Sequence, residues 1–373
     1  MDDGGWNTNV KRTHLAVIGG FLGAGKTTTI LALAKMLLAE GKKLGIVTND
    51  QGSDLVDTQY LADQGLPVLE VSGGCFCCHF DEFTQKVEEL AKEDMPDVIL
   101  AEPVGSCTDL VATIFRPLQK QQRLFQICPL TVVADPRRVT KLMLREQSPF
   151  PNEINYLFER QLAEADVILL NRADIVAKPE LERLAKYLEE RFPGATVLQV
   201  SAKDGTGLAA WPGQVLLSAF AGRKLDEVDY QRYGRAEQQL GWMNAVGRLT
   251  AEQEFGVDDF LLALTERISG DMQYLGCQIA HLKLYAIGSG ERHAKISVVD
   301  IEEQPDFALR FGGDAREIQL VVNARILIAP ENLSIAVEAA IQQTAERFAL
   351  KLESYQADCF APGWPNPTHR VLE

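Results

Sequence analysis

The chain has 373 residues, 46% hydrophobic and 24% charged, with a formal net charge of −15. This length and balance point to about two globular domains with enough apolar chain to build their own cores. The acidic excess disfavours nucleic acid and anionic membranes as partners, and leaves cations or basic proteins. Seven cysteines, three of them crowded at Cys75, Cys77 and Cys78, are not a secreted disulfide framework. In a reducing compartment such a cluster reads as a metal or redox site. Residues 1–12 are polar and lack an apolar signal core, and no apolar run reaches the length of a membrane span. The expectation is a cytoplasmic protein with a flexible N-terminus.

Residues 13–221 alternate apolar runs with amphipathic stretches. The runs His14–Ile18, Leu44–Thr48, Pro67–Val71, Val98–Ala101, Leu130–Ala134, Val167–Leu170 and Thr196–Val200 predict strands. Lys26–Glu40, Asp81–Glu93, Pro179–Arg191 and Leu208–Ser218 predict helices between them. The alternation predicts an α/β domain: a mainly parallel sheet with helices on both faces. Residues 222–270 read as a linker with helices, the last over Gly256–Ile268. Residues 271–373 predict a smaller α+β domain: strands at Gln278–Tyr285, Lys295–Val299, Glu317–Ala329 and Lys351–Tyr355, a helix at Pro330–Phe348, and a Pro-rich extended tail.

Gly20 to Thr27 reads GFLGAGKT, after a strand and before a helix. It matches G-x-x-x-x-G-K-[ST], the phosphate loop of P-loop NTPases. Gly20, Gly23, Ala24 and Gly25 let backbone N–H groups turn toward an anion, and the helix N-terminus adds a favourable dipole. Lys26 is placed for the β- and γ-phosphates, and Thr27, followed by Thr28, for Mg²⁺. Val98–Ala101 ends in Glu102-Pro103-Val104-Gly105, where Glu102 is a candidate Mg²⁺ ligand and the Gly105 N–H a γ-phosphate contact. Asn49-Asp50-Gln51-Gly52 follows another strand. Asp50, Asp54 and Asp57 are candidates for Mg²⁺, water or transferred metal, and a plain solvated turn is the alternative.

Asn171-Arg172-Ala173-Asp174 occupies the N-K-x-D position of G proteins, with Arg for Lys. The Asp174 carboxylate is suited to the N1 and N2 donors of guanine, a pair that adenine lacks. Ser201-Ala202-Lys203 follows the next strand and matches the S-A-K pattern that contacts the guanine carbonyl. Together these favour GTP and GDP as ligands.

Ser72-Gly73-Gly74-Cys75-Phe76-Cys77-Cys78-His79 offers soft thiolates for Zn²⁺ or Co²⁺. In a straight strand i and i+3 do not share a face, so the glycines must let the loop wrap. The fourth position is open, or is taken by water, a carboxylate or His79. Buried thiols, a permanent structural zinc and a redox switch remain alternatives.

Taken together, the motifs resemble the CobW-type branch of P-loop metal-chaperone GTPases. Gly74-Cys75-Phe76-Cys77-Cys78 matches its G-C-x-C-C segment, Glu102–Gly105 its E-x-x-G switch, and Asn49–Gly52 its N-E-x-G segment with Asp for Glu. The resemblance implies a slow GTPase with catalytic Lys26, Thr27, Asp50 and Glu102, and metal held by Cys75, Cys77 and Cys78. It also implies delivery of Zn²⁺ or Co²⁺ to a client metalloenzyme or corrinoid-pathway protein, and leaves homo-oligomerisation open. The alternative within the same family is a regulatory G-protein chaperone of a corrinoid enzyme with a structural or sensory metal. The histidine-rich stretch of many members is absent; five histidines are scattered along the chain.

Overall fold

A computed structural model describes residues 12–49, 56–93, 95–121, 125–144, 150–222, 226–290 and 292–372. Its first sheet contains β1 (Thr13–Gly20), β2 (Leu44–Asn49), β3 (Val68–Val71), β4 (Val98–Glu102), β5 (Phe125–Ile127), β6 (Thr131–Ala134), β7 (Val167–Leu170) and β8 (Thr196–Gln199). The order is β3-β2-β4-β1-β6-β7-β8, with β5 beside β1, and every pairing is parallel.

Crossover helices cover both faces: α1 (Lys26–Ala39), α2 (Val56–Asp63), α3 (Phe80–Glu93), α4 (Arg116–Lys120), α5 (Pro136–Leu144), α6 (Asn152–Glu164), α7 (Lys178–Arg191) and α8 (Trp211–Val215). Leu15 and Val17 pack with Phe83 of α3 and Leu157 of α6, whereas Ala16 and Ile18 pack with Ile30 and Leu33 of α1. Alternate residues of one strand thus enter different cores, so the strands are apolar throughout rather than alternating. Helices α2, α5 and α6 stand where no helix was expected.

The chain passes through α9 (Tyr230–Gln238) into β9 (Gly241–Gly256), α10 (Val257–Tyr274), β10 (Ile279–Ile287), β11 (His293–Val298), β12 (Asp306–Leu309), β13 (Asp314–Ile326), α11 (Pro330–Arg347) and β14 (Leu350–Phe360). The second sheet is antiparallel, in the order β12-β11-β10-β13-β9-β14. Strand β9 lies inside the segment expected to be a linker with helices. It pairs with both β13 and β14, and is covered on both faces: Met243 and Leu249 pack under α10 and α11, and Trp242 packs toward the first domain. The buried Asn244 and the glycines Gly241 and Gly247 interrupt the apolar pattern that would have marked it as a strand.

The uncovered face of the second sheet lies on the first domain. Tyr285 packs edge-on against Tyr60 of α2, with ring centroids 6.4 Å apart. The Val56 N–H at the start of α2 donates to Asn323 Oδ1 at 2.8 Å. Asp57 accepts from Lys295 Nζ at 2.9 Å and also from Lys283. Asp57, a candidate metal or water contact from sequence, is therefore committed to an ion-pair lock between domains. Asp50, Gln51, Gly52 and Asp54 lie outside the described residues.

Candidate functional site: a phosphate loop, base loops and a thiol cluster

The candidate residues gather at the carboxyl ends of β1, β2, β3, β4, β7 and β8, the edge where parallel sheets bind ligands. The loop from Gly20 to Lys26 turns with Gly23 at φ +74° and Gly25 at φ +95°, both left-handed. A Cβ at Gly25 would stand 2.5 Å from Asn171 Nδ2, and one at Gly23 would strike Val299 Cβ at 2.8 Å. The loop is thus packed against both the base motif and the second domain.

Lys26, buried at the helix start, donates to Phe21 O at 3.4 Å and stands 3.9 Å from Glu102 Oε1. The Thr27 hydroxyl donates to the same oxygen at 3.1 Å. Glu102 Oε2 is buried with no hydrogen-bond partner among the described residues. Burial raises the Glu102 carboxyl above its ordinary value, opposed by Lys26. A hydroxyl and an unsatisfied carboxylate oxygen side by side are hard donors that fit Mg²⁺. Gly105 abuts the same lysine: a Cβ there would lie 2.9 Å from Lys26 Nζ. Ala24 is buried, while Thr28 is half-buried beyond Thr27.

Asn171 bridges the loops. Its Nδ2 donates to Ala24 O at 3.0 Å, and its Oδ1 accepts the Ala202 N–H at 2.9 Å. Asp174, at the other end of the same loop, is exposed. Arg172 has φ +60°, uncommon for a non-glycine residue, and its guanidinium is engaged on both sides. It donates to Glu303 Oε1 at 2.9 Å and lies 3.3 Å from Asp135 Oδ2. Lys203 meets Asp306 at 3.0 Å. Glu303 and the start of β12 belong to the second domain, so both base loops are tied to it. Sequence reading gave no hint of these carboxylates.

The sulfurs of Cys75, Cys77 and Cys78 lie within 4.8 Å of one another. A helix-like turn brings them together rather than a strand: the Cys78 and His79 N–H groups both donate to Cys75 O at 2.9 Å, just before α3. Gly73, at φ +81°, makes the preceding bend. Asn49, at the end of β2, fastens this loop. Its Nδ2 donates to Val71 O at 2.8 Å and Gly74 O at 2.7 Å, and its Oδ1 accepts the Phe76 N–H at 2.9 Å. This role was missed from sequence, where Asn49 is only the first residue of a turn motif. His79 is turned aside, its imidazole against the Gly74 backbone.

A fourth thiol, Cys107, is buried nearby in the segment after Glu102 but does not join the three sulfurs that lie within 4.8 Å of one another. The proximity of Cys75 and Cys77 draws its thiol down to about 6, while theirs are pushed up. The C-terminal tail crosses the cluster: the Thr368 N–H and hydroxyl donate to Cys77 O and Cys78 O, each at 2.9 Å. His369 packs edge-on to Phe80.

The parallel sheet, the glycine loop clamped at the start of α1 and the paired loops after β7 and β8 define a nucleotide-binding domain of the P-loop class. The family model described as "CobW/HypB/UreG, nucleotide-binding domain" matches residues 14–199, and through that domain the chain belongs to this family. It is 29% identical over 258 residues to the zinc chaperone CobW of Sinorhizobium sp, an alignment covering 62% of this chain and 70% of that one. It is 31% identical over 189 residues to the zinc chaperone YeiR of Escherichia coli (strain K12), covering 48% and 52%. A crystal structure of the Zn(II)-bound YjiA GTPase from E. coli aligns over 89% of this chain and 99% of that one, with 15% identity and a TM-score of 0.39. No helix among the described residues is long and apolar enough to cross a membrane.

Proposed function

We propose that this protein is a GTP-dependent metallochaperone that carries a zinc ion on its cysteine cluster and hands it to a client protein. The convergence of Cys75, Cys77 and Cys78 on one point carries this reading. Three soft sulfurs so placed suit Zn²⁺, with Co²⁺ as a spectroscopic substitute. The chain spans 70% and 52% of the two zinc chaperones it resembles, which supports the cargo without naming a client.

In this reading Gly20, Gly23, Ala24, Gly25 and Thr28 line the phosphates with backbone donors, and Lys26 neutralises the terminal ones. Asp174 selects guanine, while Asn171 holds the base loop to the phosphate loop, with Arg172, Ser201, Ala202 and Lys203 around the base. Thr27 and Glu102 would hold Mg²⁺, which supplies charge neutralisation at the phosphates. Gly105 would donate to the γ-phosphate, so the segment from Glu102 onward senses its presence. Asn49 joins the end of β2 to the cysteine loop, giving nucleotide state a second route to the metal.

The burial of Cys75 and Cys77 beneath the tail favours a second reading, a G protein with a resident metal. A competition titration of Zn²⁺ with GDP, then with a non-hydrolysable GTP analogue, separates the two. A tenfold or larger change in affinity, about 1.4 kcal/mol of coupling, supports the chaperone. Equal affinities sink it, because a ligand without differential affinity shifts no population.

A further inference from the structure

We propose that the segment from Trp364 to Leu372 is a displaceable strap over the thiol cluster, and that it occupies the groove in which an extended, arginine-bearing segment of the client docks. This rests on the reading that the cluster carries zinc to a client. The strap follows β14 and forms neither a helix nor a strand. It is anchored along its length. Trp364 rests on α9 at Gly234, where a Cβ would stand 1.9 Å from Trp364 Cε3, so only glycine admits the ring. Thr368 reaches the cysteine loop, its N–H donating to Cys77 O and its hydroxyl to Cys78 O, each at 2.9 Å. Arg370 Nε donates to Asp109 Oδ2 at 2.8 Å, and the Val371 N–H donates to Ala112 O at 2.8 Å. With the strap seated, Cys75 and Cys77 are 5% and 2% exposed, and Cys78 is half-buried. A client that takes the metal by ligand exchange must reach these sulfurs, so the strap stands in its way.

Asp109 shows what the groove is built to hold. It is buried, and its φ of +63° is left-handed, a strained conformation for a residue with a Cβ. Tyr230 donates its hydroxyl to the same Oδ2 at 2.9 Å and offers its ring to the Arg370 guanidinium, 4.8 Å from the centroid. Glu227, at the rim, accepts from Arg370 Nη1 at 3.1 Å. A buried carboxylate, an aromatic face and a second carboxylate around one point form a receptor for a guanidinium. The carbonyls of Cys77 and Cys78, by contrast, accept from any extended backbone. Main-chain hydrogen bonds thus supply the grip and the Asp109 pocket the specificity, as in other grooves that take extended peptides. The net charge of −15 favours the approach of a basic partner.

The strap is lightly held for its length. Trp364 is 47% exposed, and Thr368 is exposed as well. Segments with so little buried surface open far more readily than the domain that carries them. Tethering nonetheless keeps the strap at an effective concentration of about a millimolar over its groove. A free peptide competes poorly against that. A client already docked on the protein competes on equal terms, which ties uncovering of the metal to arrival of the client.

Two full-length variants test the strap. Thr368→Pro removes the donor to Cys77 O together with the hydroxyl, and Arg370→Glu sets a carboxylate against Asp109 and Glu227. Zinc-loaded protein is challenged with EDTA, and metal-free protein with iodoacetamide, the labelled cysteines being mapped by mass spectrometry. Both variants should lose zinc, and label at Cys77, about tenfold faster than wild type, the worth of one charge-assisted hydrogen bond. Both should bind GDP as wild type does, which separates uncovering from unfolding. A synthetic peptide of residues 363–373 should restore protection to Arg370→Glu, and the same peptide carrying Arg370→Glu should not. Wild-type rates in both variants, or equal protection by the two peptides, overturn the proposal and leave the chaperone reading standing. The labelling needs no zinc: if it responds as stated while wild-type protein shows no thiolate–cobalt band, the strap and its groove stand and the chaperone reading fails.

Discussion

Arg172 and Glu303 join the base-recognition loop to the second domain, with the guanidinium 2.9 Å from the carboxylate. Arg172 comes from the loop after β7, and Glu303 from the connection between β11 and β12, which also contacts Arg137 and places Val299 against Gly23. A nucleotide that takes up Arg172 must compete with this pair. Glu303→Gln removes the charge and keeps the shape. A partly exposed ion pair is worth about 1 kcal/mol, so GDP should bind roughly fivefold more tightly. Titration with a fluorescent GDP measures this; unchanged or weaker binding would show that Arg172 does not reach the nucleotide.

Asp174 is the proposed guanine acceptor. Asp174→Asn places an amide where two donors of the base arrive, so one donor meets another. GTP binding should fall by about 10-fold or more, the usual consequence of an unpaired buried polar group. Xanthosine triphosphate, with a carbonyl in place of the guanine amino group, should gain. Equal losses for both nucleotides would remove Asp174 from base selection.

Asn49 makes three hydrogen bonds to the cysteine loop. At about 1 kcal/mol each, their loss in Asn49→Ala unfastens the thiols before metal arrives. Zinc affinity should drop by about 10-fold or more, with GDP affinity close to wild type. A parallel loss of both would mark Asn49 as a general stability residue rather than a support of the metal loop.

Asp57 sits between Lys283 and Lys295. Burial disfavours its charge, but the two ammonium groups outweigh that and hold the carboxyl well below its ordinary 3.8. Because the folded-state value is depressed, its stabilisation is present above 3.8 and lost as pH falls through the folded value. Asp57→Asn leaves two poorly exposed lysines unpaired and should cost about 3 kcal/mol at pH 7. The deficit should shrink below pH 3.8 in denaturant titrations. A deficit that does not change with pH would mean that packing, not charge, holds α2 to the second sheet.

What could be read in the sequence was local. The phosphate loop, the strand ends at Asn171 and Ser201 and the crowded cysteines each lie within eight consecutive residues, with element boundaries beside them. The strands β1, β4 and β7 stood out because sheets buried on both faces leave unbroken apolar runs. Strand β9 did not, because its partners β13 and β14 lie far along the chain and its buried polar Asn244, whose Oδ1 accepts from Asn323 and Arg325 of β13, breaks the apolar run. Helices α5 and α6 escaped notice between turn-rich segments.

The sequence by itself determined the nucleotide class, the parallel sheet and the three-cysteine cluster, because short-range spacing and strand-end position dictate those. Only the tertiary structure decided that Cys107 is buried near the thiols, that Asn49 fastens their loop, that Asp57 is a lock rather than a ligand, and that Glu303 holds Arg172. Each of these depends on segments distant in the chain meeting at one sheet edge. Contacts of that kind are set by packing of the two domains and leave no periodic trace in the residues that make them.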